Sequence, residues 1–169
     1  RTPPMIARII CLIEPRLTLH RLSLLKALLA AEITHQRRAA IVDLDPEALW
    51  TLQVLGSSAH DVVDDVEDTA ASWLASWVAG DPAPDLSKVL WSGEGGQCAV
   101  VPGSLRIDDL VACTADGVGR HGHTMPSVYL REALLGLGRT HQTIFLTGGT
   151  GFGMLPRLLL AASDEVLML

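Results

Sequence analysis

Two carboxylates stand directly after a short apolar segment, in the sequence Asp43-Leu44-Asp45-Pro46. The segment from Ala39 to Val42 is apolar and partly β-branched, which predicts a buried strand that ends at these acids. Two interpretations are open: the acids are remnants of a catalytic edge, or they pair with a nearby cation such as Arg21. We favour the pairing with Arg21.

A second strand precedes this one, followed by a helix whose start is rich in cations. Ile6 to Ile13 is a continuous apolar run, and Leu17 to Ala31 has leucines at helical spacing. Cations at a helix start suit an anion, because guanidinium groups form a rigid fork and the helix N-terminus favours negative charge. The alternative, which we favour, is that these cations pair with acids across the same strand ends. The cations are Arg16, His20 and Arg21.

Together the two strand segments resemble the ParA/MinD family of deviant Walker A ATPases. Three further segments are similar to that family's acidic helix, its strand-Pro-Gly-Ser-helix passage, and its last helix-strand-loop-helix-strand unit: residues 60–68, 96–110 and 129–169. The resemblance implies a three-layer α/β/α fold, P-loop NTPase-like, with a mostly parallel central sheet. It also places the strand-end carboxylate beside the triphosphate and its attacking water.

Aligned with the family, the phosphate loop has lost its chemistry. Arg16 falls at the signature lysine and Arg21 at the Walker lysine, while the two threonine positions hold Leu22 and Ser23. Thr147 stands where the Walker B aspartate would be. The three glycine positions hold Leu17, Thr18 and His20.

Such a loop binds phosphate because its glycines let successive backbone N–H groups turn inward at a helix N-terminus. A non-glycine residue in a left-handed conformation costs roughly 1–2 kcal/mol, so three substitutions oppose the turn by about 3–6 kcal/mol. Leu22 and Thr147 also remove two of the usual anchors of magnesium. We therefore expect no cofactor and no ATP hydrolysis, with ATP and magnesium as the alternative.

Composition favours one well-buried domain over residues 1–169, since 49% of the residues are apolar and 19% are charged. No uninterrupted apolar run is long enough for a transmembrane segment, and the first residues lack a signal peptide's order, so we expect a cytoplasmic protein. Residues 1–38 hold seven Lys/Arg against two acids, whereas residues 39–87 hold ten acids and no Lys or Arg. Any nucleic-acid contact therefore needs a local basic face.

Two other readings of the chemistry are weaker. The glycine loop from Thr147 to Gly153 resembles the dinucleotide fingerprint of extended short-chain dehydrogenases, but its third glycine comes one residue early and the chain ends before an acidic ribose partner. Cys113, His121 and His123 are metal-type ligands that lack a fourth ligand at zinc spacing, so we expect no metal site.

Trp73 and Trp77 lie one helical turn apart, and they are interpreted either as core residues, which we favour, or as a partner-binding stripe.

The chain ends on an apolar strand where the family continues, which suggests a C-terminally truncated version of its fold. The favoured function is a pseudo-ATPase that acts as a partition-associated, positioning or regulatory adaptor, as a homodimer or with a protein partner. The alternatives are an active partition ATPase with an atypical loop and an NAD(P)-binding enzyme.

Overall fold

A six-stranded, mostly parallel sheet forms the centre of the protein. The computed structural model describes residues 7–14, 20–92, 99–115, 125–150 and 153–168. The strands in sheet order are β3, β4, β2, β5, β1 and β6, and only β3 runs antiparallel to its neighbour β4. Their bounds are β1 Arg8–Glu14, β2 Ala39–Leu44, β3 Trp91–Ser92, β4 Ala99–Val101, β5 Thr143–Thr150 and β6 Glu165–Met168.

Helices connect the strands, as the alternation of apolar runs and helical patterns predicts. The α-helices of the described ranges are α1 His20–Thr34, α2 Leu49–Leu55, α3 Ser72–Ala79, α4 Ile107–Ala115, α5 Pro126–Gly138 and α6 Met154–Ala162. Two 3-10 helices, Gly56–Asp61 and Leu86–Val89, precede α3 and β3 respectively. Pro126 opens α5, where a missing backbone donor costs nothing.

The short acidic helix that the resemblance implies at residues 60–68 does not form. The α-helix begins at Ser72, and residues 62–71 form turns instead. Valine and aspartate are poor helix formers, which explains the turns. Val62 and Val63 are buried while Asp64 and Asp65 are exposed, so the valines still attach this turn segment to the protein interior.

Alternating strand residues face two separate hydrophobic clusters, which is the two-residue period of a sheet covered on both sides. Ile10 and Leu12 of β1 pack with α1 and α2, whereas Ile9, Cys11 and Ile13 pack with α3, α5 and α6. The predicted three-layer α/β/α architecture is therefore confirmed.

The carboxyl ends of β2 and β5 lie side by side at one edge of this sheet. Asp43 of β2 is in register with Thr147 of β5, and Leu44 with Gly148. The fold thus places two of the residues singled out in the sequence next to each other. No described helix combines the length and the apolar character needed to cross a membrane.

Candidate functional site

A buried carboxylate forms the centre of the strand-end site. Asp43 is fully buried, and its Oδ2 accepts hydrogen bonds from the backbone N–H of Thr51 and from the Thr51 hydroxyl, both at 2.8 Å. Its Oδ1 accepts the Thr147 hydroxyl at 3.1 Å and the backbone N–H of Asp45 at 3.2 Å. Each carboxylate oxygen therefore has two protein donors.

Thr51 reaches this carboxylate because the chain turns sharply after β2. Asp45 O accepts the N–H of Ala48 at 2.8 Å, and Ala48 adopts a left-handed conformation with φ of 48° immediately before α2. The Thr51 hydroxyl donates to Asp43 and accepts the N–H of Gly103 at 2.6 Å. One hydroxyl therefore ties the end of β2 and the first turn of α2 to the loop that follows β4.

Burial dominates the electrostatics of Asp43. Desolvation raises the pKa of this carboxyl to about 6, and the neighbouring Asp45 carboxylate acts in the same direction, while the Thr51 and Asp45 hydrogen bonds oppose the rise. Asp45 is 3% exposed, and its Oδ1 accepts the N–H of Glu47 at 3.0 Å. Two acids at this edge are thus withdrawn from solvent.

Thr147 is also fully buried, and its hydroxyl donates to Asp43 rather than facing outward. A carboxylate at this position would stand against Asp43 as a like charge, whereas a hydroxyl provides a donor. The residue that the resemblance aligns with the Walker B aspartate therefore completes the hydrogen bonding of Asp43.

The aligned phosphate-loop positions are described only in part. Leu22 is half-buried and packs on the α1 side of the sheet, and Ser23 is exposed in the first turn of α1. Arg16 lies outside the described residues, and His20 and Arg21 are described only as the backbone that begins α1. Pairing of Arg21 with the acids therefore remains a prediction.

The glycine loop is packed as a strand over its first half. β5 continues through Thr150, so Gly148 lies within the strand and not in the turn that a dinucleotide fingerprint requires. A Cβ at Gly148 would stand 2.2 Å from Leu159 Cδ1 of α6. This glycine allows close strand–helix packing, while Gly151 and Phe152 lie outside the described residues.

The two tryptophans of α3 have different environments. Trp73 is fully buried in the core, and Trp77 is partly exposed beside it. Trp73 therefore has no surface to offer a partner in this conformation, which agrees with the favoured interpretation of a core residue, and a partner contact through Trp77 stays a prediction.

Metal-type ligands do not cluster within the described ranges, where no group of three or more His, Cys, Asp or Glu side chains is placed to hold an ion. Cys113 is exposed. His121 and His123 lie outside the described residues.

Thr51 is the site residue that sequence reasoning missed. It lies eight positions after Asp43, in a seven-residue helix that the sequence pattern did not indicate. A threonine after a strand-end acid is too common a combination to be singled out, and only the left-handed turn at Ala48 brings it back to the carboxylate. No local signal could have found it.

The chain matches no protein-family profile and no curated protein, but its fold occurs in solved structures. Protein DIP2308 from Corynebacterium diphtheriae superposes with a TM-score of 0.78 at 17% identity, covering 95% of this chain and 60% of that one. Cobyrinic acid a,c-diamide synthase from Mycobacterium smegmatis, with bound ADP and magnesium, gives 0.74 at 20% identity, covering 96% and 59%.

A plasmid partition protein from Borrelia burgdorferi gives a TM-score of 0.71 at 14% identity, covering 96% of this chain and 65% of that one. The chain thus spans less than two thirds of the length of each of these three proteins. At these identities the similarity shows a common fold alone, the three-layer α/β/α fold with a mostly parallel sheet that the resemblance implied.

Proposed function

We propose that this chain is a catalytically degenerate ParA/MinD-like protein, a pseudo-ATPase that acts in the cytoplasm through protein–protein association. Its role would be that of a partition-associated, positioning or regulatory adaptor. The fold shared with a plasmid partition protein supports the relationship. The chemistry of the strand-end site supports the loss of catalysis.

The observation that carries the proposal is the closed hydrogen bonding of Asp43. Magnesium in nucleotide sites is held by a few protein oxygens together with waters and phosphate oxygens, so a ligand must be reachable from the site. Asp43 is fully buried, and both of its oxygens are already occupied by protein donors. Ligation would require breaking these bonds and rotating a buried side chain.

The residues at the aligned phosphate-loop positions also support the loss of catalysis. Leu22 stands at the position of the magnesium-binding threonine and packs against the hydrophobic core, so it supplies neither a hydroxyl nor space. Leucine, threonine and histidine at the glycine positions oppose the backbone turn that phosphate binding requires.

Hydrolysis of radiolabelled ATP by the purified protein tests this directly. We expect release of phosphate at the rate of a protein-free blank, with or without magnesium. Turnover above the blank that disappears in Arg21→Ala would contradict the proposal. An exposed arginine on α6 gives the matched control, because Arg157→Ala removes the same charge elsewhere.

That contrary result would establish the second candidate, an active partition ATPase with an atypical phosphate loop. Two acids remain at the strand end, and the similar diamide synthase holds ADP and magnesium. In this case Arg21 would act in place of the Walker lysine, and Asp43 or Asp45 would hold the metal after rearrangement.

Association without a nucleotide cycle follows from the favoured proposal. A ligand shifts an equilibrium between monomer and dimer only through unequal affinity for the two states. We therefore expect a homodimer or partner complex whose mass by light scattering is the same with and without Mg-ATP. Conversion of monomer to dimer on addition of Mg-ATP would argue against it.

DNA binding is the remaining partner that the resemblance implies. The net charge of −6 gives no general attraction to DNA, so binding would depend on a local basic face. Gel shifts at increasing salt measure it, because phosphate contacts give a salt-dependent affinity. Absence of a shift at low salt would remove DNA as a partner.

A further inference from the structure

A cleft lies at the amino ends of the central strands, opposite the strand ends that carry Asp43. It has a volume of about 370 Å³, which is in the size range of small-molecule sites. Ala39, at the start of β2, lines it, whereas Asp43 lies four residues further along the same strand. At roughly 3.3 Å per residue, the cleft is about 13 Å from the strand-end carboxylate. We call it the amino-edge cleft.

Positive charge dominates the polar lining of the amino-edge cleft. Arg37 and Arg38 both line it, together with Gln36, Ser92 and His141. Arg37 is held by two hydrogen bonds to Glu32, from Nε at 2.8 Å and from Nη2 at 2.7 Å. Those bonds fix the plane of the guanidinium and leave its Nη1 outside the pair.

Arg38 is the second cation that lines the amino-edge cleft. In the part of the chain that the structure describes, its guanidinium makes no ion pair, and its hydrogen bonds are made by the backbone: its N–H donates to Gln142 Oε1 at 2.6 Å, and its carbonyl oxygen accepts the N–H groups of Gln142 and Thr143. Burial lowers the pKa of His141, and the charge of Arg38 adds to that lowering. The positive charge of Arg38 therefore acts on a residue that lines the amino-edge cleft.

The remaining lining is apolar. Ile33, Ala39, Leu90 and Ala99 contribute to the walls, and Ile33 is 39% exposed although it is a large aliphatic side chain. An apolar wall beside two guanidinium groups fits an amphipathic molecule better than an inorganic ion, because covering the apolar surface adds to binding.

We propose that the amino-edge cleft binds a small organic anion. Its phosphate or carboxylate group is held by Arg38 and by Nη1 of Arg37, and its apolar body lies against Ile33 and Leu90. Guanidinium forks suit both anionic groups through charge-assisted hydrogen bonds. This site is independent of the strand-end site and of the function proposed for it.

Phenyl phosphate, benzoate and inorganic phosphate are the probes, and the NMR signals of the His141 ring report their binding. His141 is buried at the cleft, so its signals respond locally, and a His141→Gln variant assigns them. We expect saturable shifts with phenyl phosphate and a weaker response to inorganic phosphate. Comparison of phenyl phosphate with benzoate decides which anionic group is preferred.

Arg38→Ala should weaken binding of phenyl phosphate about tenfold or more, as expected for the loss of charge-assisted hydrogen bonds. Arg157→Ala is the matched control and should leave binding unchanged, since Arg157 lies on α6, away from the amino-edge cleft. Both arginines are exposed, so neither variant should impair folding. Circular dichroism verifies that.

Ile33→Ser tests the apolar wall separately. It should reduce the preference for phenyl phosphate over inorganic phosphate while leaving inorganic phosphate unaffected. The proposal is overturned if phenyl phosphate and benzoate both fail to shift the His141 signals at millimolar concentration. It is also overturned if Arg38→Ala binds as well as the natural chain, or if Arg157→Ala loses binding equally.

Discussion

Asp43 of β2 accepts hydroxyl hydrogen bonds from Thr51 of α2 and Thr147 of β5, and the sequence singled out only Asp43 and Thr147. The acid itself could be singled out because it follows an apolar run, and Thr147 because of the alignment. Their mutual hydrogen bond joins residues 104 positions apart, a distance at which no spacing rule applies. The hydrogen bonds of Thr51 to Asp43 and Gly103 depend on how the turn after β2 packs against the loop after β4.

Replacing Thr51 by valine should destabilise the protein by about 2–4 kcal/mol, because a buried carboxylate loses a donor and the Gly103 N–H loses its acceptor. The change keeps the shape of the side chain. Urea denaturation measures it. Thr34→Val is the matched control, with an expected change within about 0.5 kcal/mol, since the Thr34 hydroxyl bonds Ala30 O at an exposed position. Equal effects of both variants would contradict the role given to Thr51.

The raised pKa of Asp43 makes a prediction about pH. An acid whose pKa is higher in the folded state than in the unfolded state binds more protons when folded, so stability falls as pH rises between the two values. For Asp43 these are about 6 and 3.8. Relative to Asp43→Asn, the natural chain should therefore lose up to about 3 kcal/mol of unfolding free energy between pH 4 and pH 7.

The comparison with Asp43→Asn is needed because other acids act in the opposite direction. Hydrogen bonds from Thr143 and Arg37 lower the pKa of Glu32, and those from Ser87 lower the pKa of Asp85. The Ile9 amide and Arg131 lower the pKa of Asp164. Their contributions are common to both proteins and cancel in the difference. A difference that stays constant between pH 4 and pH 7 would show that Asp43 has an ordinary pKa.

Among the elements, those with long apolar patterns were predicted and short ones were not. β1, β2 and α1 have nearly continuous or periodic apolar residues, and the sequence placed all three to within a few residues. α2 has only seven residues and follows a left-handed turn at Ala48, so no periodic window exists for it. Tertiary contacts, above all the buried Trp50 and Thr51, determine that helix.

The packing of α5 against the 3-10 helix at residues 86–89 gives a prediction at this scale. A Cβ at Gly136 would stand 1.8 Å from Asp85 Oδ1 and 2.8 Å from Ser87 Oγ. Asp85 cannot simply move away, because its Oδ1 accepts both the N–H and the hydroxyl of Ser87 at the start of that helix. Glycine here permits the close approach.

Gly136→Ala should therefore destabilise the protein by about 1–3 kcal/mol, the usual cost of overpacking, despite alanine's higher helix propensity. Gly138→Ala in the same helix is the control. There the added Cβ meets only Ala7 Cβ, at 3.4 Å, so the change should be neutral or slightly stabilising. Thermal unfolding of both variants gives the comparison. If Gly136→Ala is instead more stable than the natural chain, the 3-10 helix at residues 86–89 can move away from α5 at little cost.

At the scale of the whole molecule, one sheet carries two hydrophobic clusters on opposite faces. Trp50 lies in the cluster covered by α1 and α2, and Trp73 in the cluster covered by α3 to α6. Every strand from β4 to β1 contributes side chains to both clusters. Loss of either helical layer would expose apolar strand residues to water, so neither layer is stable without the other.

We therefore predict a single cooperative unfolding transition for residues 1–169. Trp77 packs beside Trp73, so fluorescence of a double variant, Trp73→Phe with Trp77→Phe, reports the α1 side through Trp50. Fluorescence of Trp50→Phe reports the other side through Trp73. Within each variant, the urea midpoint by fluorescence should coincide with that by far-UV circular dichroism. Separate midpoints would show that the two faces unfold independently and that the chain is not one cooperative domain.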